Sequence, residues 1–480
     1  MTLASIRVLA ESSRHLVSRF SSGVTPALTK QVRAAGGARQ WFEAQLDPSS
    51  IGDPAATDVQ SWFPDILYSP ETLWRRHQQG VVKGYQVRFQ FGCRTLMRRI
   101  YSTRQVQEVM TDFWSNLLHV PLGDEESWMH RFEYDAMIRK HALGRFDEML
   151  VKAIPHPAMG LYLNNAVSTK DRPNENLGRE LLELHTVGLD AGYTERDVRH
   201  SAHLLTGYLV DRWNTFSAYY SREAHYTGTI RVLGFTHPNT SRDGRPATTA
   251  YLRYLAHHPA TARRIAHRLC VRFVSDEPPG ELVTAVAGTF QRSGTDIRAT
   301  LRTLVDHPLF YRGARTKART PIEDFVASAR VLGVRTRKPT RDKGFPRGAS
   351  MQCEKMGQTP FGWPAPNGSP ESSSAWIGAG RVISSFGVHL DLVTGTFPKY
   401  DVTYQEHTHW LPALPARFDE VVDHMSRMVL GMPAGDRLKW TISQRLGIEG
   451  RQLVGGGDLP EHRVIPMLQL MLDSPTHMTR

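Results

Sequence analysis

Apolar residues recur at helical spacing through most of this chain. Stripes with a period near 3.6 run through Val106–Leu118, Ile138–Ile154, Leu177–Val187, Val198–Leu209 and Ala262–Val274. They continue through Leu282–Phe290, Ile297–Val305, Ile322–Leu332, Phe418–Met428 and Val464–Leu472. The expected fold is therefore mainly α: a large multi-helical globular domain with few short strands.

The punctuation between stripes is regular. Apolar runs end at His156-Pro157, His258-Pro259, His307-Pro308 and Ser474-Pro475. Proline suits a first helical turn, and it pushes the residue before it out of the helical region. Sharp corners between helices are expected, with the three histidines as corner residues. The segment 333–374, rich in Arg, Lys, Pro, Gly and Ser, reads as one long exposed loop.

One helix carries an unusual density of chemistry. Asn174 or Asn176 is placed to cap its start and Gly188 to end it. At 100° per residue Asn176, Arg179, Glu180, Glu183 and Thr186 share one arc, while Leu177, Leu181 and Leu184 share the other, with His185 among the leucines. A straight helix therefore cannot bring Glu180, Glu183 and His185 to one metal. Two close carboxylates beside an arginine can be driven to different pKa values, the condition for acid/base work. A solvated Arg179–Glu183 ion pair with a core His185 accounts for the same letters.

The block Asn174–Gly188, followed by Tyr193-Thr194 and Asp197-Val198, resembles the signature of a bacterial family, the domain of unknown function 1800. Further matching pieces are Phe113-Trp114-Ser115-Asn116, Tyr134-Asp135, Arg272-Phe273-Val274, Thr320-Pro321-Ile322-Glu323, Met356-Gly357-Gln358 and Pro366-Asn367-Gly368. Their order along the chain marks a single helical family domain over 12–478. The resemblance implies a site around Glu180, Glu183, Arg179 and Asn176, oriented by Asp135, with His225 as a second proton carrier. It leaves the chemistry, and any cofactor, unknown. Relatives read Phe-Trp-x-Asn-His-Phe where this chain has Leu117, an inward-facing position, and His119 points away from that stripe. Leu117 is thus expected to approach the polar groups of the Asn174–Val187 region.

Other histidines offer weaker patterns. His200 and His203 lie one helical turn apart after a Thr194/Asp197 capping box, and His407 and His409 would face the same way on a strand. Cys93, Cys270 and Cys353 are too few and too far apart for a disulfide framework. Glycine-rich phosphate loops, a Gly-x-Ser-x-Gly elbow and a His-Glu-x-x-His helix are absent from the sequence.

The formal charge of +12 permits an anionic polymer as partner, whereas the sequence carries no aromatic-basic or zinc-finger signature of nucleic-acid binding. The basic residues concentrate at Arg335, Arg337, Lys338, Arg341, Lys343 and Arg347. Arg7 and Glu11 interrupt any secretory apolar run, so a cytoplasmic location is expected, with export beside a partner as the alternative. No stretch approaches the ~20 apolar residues of a membrane span.

Two functions remain open. The first is a non-catalytic binding or assembly partner in an envelope or polymer-processing system. The resemblance suggests a domain-of-unknown-function 1501 protein, alkaline-phosphatase-like, to supply the chemistry. The other is a hydrolase-like enzyme acting on an anionic or carbohydrate polymer through Glu180 and Glu183 with Arg179.

Overall fold

The computed structural model describes residues 6–340 and 344–480. Helix accounts for 60% of the chain. The strands pair only as four short antiparallel ribbons: Tyr208–Val210 with Ala218–Tyr220, Ile230–Val232 with Phe235–His237, Arg335–Thr336 with Val402–Thr403, and Ala416–Arg417 with Leu453–Val454. The mainly α expectation holds.

Two hydrophobic cores form, and the chain weaves between them. Helices drawn from residues 16–46 and 106–310 enclose one, centred on side chains such as Phe20, Phe113, Trp114, Phe146 and Phe273. Most of the other comes from residues 59–100 and 322–472, around Phe91, Met97, Phe325, Phe345 and Met425. A single cut in the chain cannot separate the two, because each takes elements from both sides of the other.

The His-Pro corners have a common construction. His156, His258 and His307 each stand before a helix, and each Nδ1 accepts the N–H of the residue after the proline, 3.2 Å away at Ala158, Ala260 and Leu309. The imidazole thus caps a donor that the helix leaves free, as an Asn or Ser would.

Several boundaries differ from the apolar pattern. The stripe over Ile138–Ile154 divides into Arg131–His141 and Phe146–Ala153, with Gly144 at the break. The stripe starting at Val198 ends at Leu204, and its last residues enter the Tyr208–Val210 strand. The segment 333–374 is not one exposed loop. It contains the helix Phe345–Lys355, whose Phe345, Ala349 and Cys353 are buried four residues apart. The composition hid that stripe because Gly, Ser and Arg fill its outer face. Arg341 and Lys343 lie outside the described residues.

Candidate functional site

The acidic helix begins as expected and then changes its winding. Asn174 caps it by accepting from Asn176 N–H at 2.9 Å, and regular α-helix runs over Glu175–Glu180. Leu181–His185 then forms a π turn before Gly188, which adopts φ +86°. The wide turn releases carbonyls, and Arg264 takes that of Leu184 through Nε and Nη2 at 3.3 and 3.1 Å. Gly178 faces the Glu195–Leu204 helix so closely that a Cβ there would stand 2.8 Å from the backbone nitrogen of Ala202.

Arg179 is the hub of the polar arc. It grips Glu195 with two bonds of 2.8 and 2.6 Å, and Glu175 and Glu183 stand 3.7 Å away on either side. The bond to Glu195, against a small desolvation cost, raises its pKa. Glu180 is half-buried, and burial together with the neighbouring Glu183 raises its pKa above the usual carboxylate range. Asn176 is exposed on the same arc.

The remaining expected site residues have other partners. Asp135 is fully buried, 2.9 Å from Arg94 Nη1 and 3.6 Å from Arg139 Nε. Burial opposes its charge, but Arg139 and Arg94 outweigh burial and hold its pKa far below normal. His225 is buried too, with Nδ1 3.1 Å from the Thr206 carbonyl and Nε2 3.1 Å from Asn239 Oδ1. Both residues are thus locked into structural contacts rather than joined to Glu180.

Leu117 does meet the acidic helix, through its backbone. Its carbonyl accepts from His185 Nδ1 at 2.9 Å, and the second ring nitrogen of His185 is buried without a hydrogen-bond partner among the described residues. Burial lowers the His185 pKa to about 4, so the ring is neutral. The contact is with His185, in the apolar layer, and not with Glu180 or Glu183.

Nor do the paired histidines converge as ligands. His200 Nδ1 accepts from Arg231 N–H at 3.1 Å, while His203 stacks on Tyr226 at 4.0 Å. His407–Trp410 is a 3-10 turn, so the strand that would have aligned His407 with His409 is not formed. All three cysteines are buried; burial pushes the Cys270 thiol up to about 12 and the other two higher.

The scattered family-like pieces meet elsewhere, around a polar cavity. Ser115, Asn116, Arg272, Ile322, Gln358 and Ser369 line it, together with His119 and Glu371. Arg272 reaches Asp112 at 3.0 Å, Glu323 at 2.8 Å and Glu371 at 3.1 Å. Arg99 holds the other oxygen of Asp112 at 3.0 Å, and Arg480 stands 3.3 Å from Glu323. Asn116 clamps the Pro366-Asn367-Gly368 turn by donating to the Ser369 carbonyl at 2.9 Å and accepting from its N–H at 2.7 Å. Gly368 has φ +72°, and a Cβ on it would fall 2.2 Å from the Asn116 carbonyl oxygen.

The sequence profile of the family described as "Protein of unknown function (DUF1800)" matches residues 15–479. The chain belongs to this family. No curated protein and no solved structure matches it.

In this DUF1800 chain the shared pieces build a neutral junction. Three arginines face three carboxylates, and about 50 Å³ is enclosed. That is room for a few waters rather than an organic substrate. A different space is open to solvent beside the Arg335–Thr336/Val402–Thr403 ribbon, a cleft of about 590 Å³ lined by Arg335, Arg337, Lys399, Tyr400 and Asp401. Arg335, Lys399 and Tyr400 are exposed, and Asp401 stands 3.4 Å from Arg337.

One further cluster went unnoticed in the sequence. Asp324, His389 and His477 converge from three helices, with Asp473 behind His389. Burial works against a charge on His389, yet Asp324 and Asp473 outweigh it and hold the pKa at about 9. His477, where burial dominates, falls to about 3. A Glu- and Asn-rich block draws the eye in a sequence; single residues at positions 324, 389 and 477 carry no spacing to find.

Proposed function

We propose that this protein is a non-catalytic binding or assembly partner in an envelope or polymer-processing system, and that it holds an anionic polymer in the basic cleft beside residues 335–336 and 402–403. One contrast carries this reading. The acidic arc and the motif cavity neutralise their own charges, whereas the cleft presents Arg335 and Lys399 to solvent with only Asp401 among its lining residues to oppose them. A groove lined by one sign of charge raises the local concentration of the opposite sign, and the exposed Tyr400 ring adds a face on which a polymer unit can stack. A second protein, such as one of the domain-of-unknown-function 1501 kind, would supply the chemistry.

Binding of a fluorescent polyglutamate or a sulfated polysaccharide tests the reading by anisotropy over a range of salt. Wild type should bind with an affinity that falls steeply as salt rises. The double substitution Arg335→Glu and Lys399→Glu should weaken binding by about tenfold or more, roughly 1.4 kcal/mol. Equal affinity in both proteins would refute it.

A second reading has its own observation, the raised pKa of half-buried Glu180 beside Glu183. Under it Glu180 is a proton donor near neutral pH and Glu180→Gln abolishes hydrolysis of a polymer substrate. Stability should move by less than about 0.5 kcal/mol, as for other part-exposed positions. Unchanged hydrolysis in that variant would end the enzyme reading at this arc.

A further inference from the structure

We infer that Asp324, His389 and His477 form a structural site for a divalent transition metal. Asp324 lies in the second turn of Pro321–Val331, His389 in Ala379–Thr394 and His477 in the short Pro475–Met478 helix, so residues far apart in sequence deliver ligand atoms to one point. One donor atom from each lies within 4.8 Å of the others, and all three residues are buried.

The separations suit a shared ion. His389 Nε2 and His477 Nε2 stand 3.2 and 3.7 Å from Asp324 Oδ1. Ligands bound tetrahedrally at ~2.0–2.1 Å stand roughly 3.3 Å apart. Ser328, one turn along from Asp324, places its hydroxyl 2.9 Å from His477 Nε2, at a fourth position of the group.

The surrounding groups orient these ligands in the way metal sites require. Asp473 Oδ1, 2.7 Å from His389 Nδ1, accepts that N–H and leaves the Nε2 lone pair facing the centre. Arg381 donates to Asp324 Oδ2 at 3.1 Å, which leaves Oδ1 for the ion. Two imidazoles and one carboxylate favour zinc or a neighbouring first-row ion over calcium or magnesium, which prefer all-oxygen shells. In the metal-free protein a proton on His389 Nε2 bridges to Asp324, and metal entry displaces it.

The enclosure explains how such a site would fill. The cavity that reaches His477 holds only about 20 Å³, too little to pass a hydrated ion, so the metal enters as the chain folds and ties the Pro475–Met478 helix to Pro321–Val331. This inference is independent of the polymer cleft, whose Arg335 and Lys399 it does not involve.

The test uses the full chain made without a metal-affinity tag. Elemental analysis of the purified protein should find about one zinc or related ion per chain. After unfolding in chelator and refolding with Co(II), the protein should show the visible absorption of a tetrahedral nitrogen/oxygen site. His389→Gln and His477→Gln should each lose the metal. Metal retained in full by both variants would overturn the inference, as would a wild type that carries none and takes up no Co(II) on refolding. Should either variant fail to fold, X-ray absorption at the metal edge of wild type decides. Imidazole and carboxylate scattering supports the site, and a thiolate or all-oxygen shell overturns it.

Discussion

Replacing Asp135 by Asn should unfold this protein more readily than any substitution in the acidic arc. Asp135 lies among Arg94, Arg131 and Arg139, all buried or nearly so, while Glu108 serves Arg139 and Arg98 at 2.6 and 3.0 Å. The guanidinium of Arg131 has no hydrogen-bond partner among the described residues; it rests on Phe361 at 4.2 Å, and burial lowers its pKa against the pull of Asp135. The carboxylate therefore steadies two buried cations besides Arg139. Breaking a buried ion pair from one side typically costs about 3–5 kcal/mol, and two stranded guanidiniums place this case at the upper end.

Urea unfolding followed by tryptophan fluorescence measures the loss at neutral pH. The pH dependence supplies a second check with a fixed sign. Because folding depresses the Asp135 pKa, its contribution is full above the unfolded value of about 3.9 and is lost as pH falls through and below it. The gap between wild type and Asp135→Asn should therefore close under acid. A neutral-pH loss below about 1 kcal/mol, the range of exposed ion pairs, would show that water reaches these arginines and that the argument is wrong.

Two other outcomes follow from the packing around the acidic helix. Gly178→Ala should cost about 1–3 kcal/mol by thermal or urea unfolding, because the new methyl meets the backbone at Ala202 and the helices must separate; a neutral effect would mean that the contact yields freely. Leu117→His should cost about 1–3 kcal/mol by the same measurement, since the position is buried in the apolar layer and an imidazole there lacks partners for its ring nitrogens. An unchanged unfolding midpoint would place Leu117 beside polar groups after all.

Helices with a continuous apolar stripe and a proline or glycine boundary were legible from the chain, as Gln105–Leu117 and Pro259–Phe273 show. Phe345–Lys355 was not, because its buried face is only three small steps wide and its surroundings have the composition of a loop. At the candidate site, local chemistry could be read and tertiary partners could not. The Arg179–Glu183 neighbourhood follows from helical spacing, but Glu195, which binds Arg179 most tightly, arrives from the next helix. Asp135 belonged to the matched pieces and seemed a natural companion of the glutamates; its arginines lie 41 residues upstream, at Arg94, and one turn along, at Arg139. Convergences such as Asp324 with His389 and His477 exist only once helices pack.

The π turn at Leu181–His185 makes length, as well as lettering, a condition of this fold. Such a turn holds one residue more than regular α-helix would need over the same rise, like an insertion that was never removed. Here the surplus residue lets His185 reach the Leu117 carbonyl while Glu180 and Glu183 stay on the outer side. Excising any one residue between Leu181 and His185 would let the helix close normally, yet it would swing everything after the cut by about 100° around the axis. Side chains in this stretch are therefore open to exchange, whereas the count from Glu180 to Gly188 is fixed.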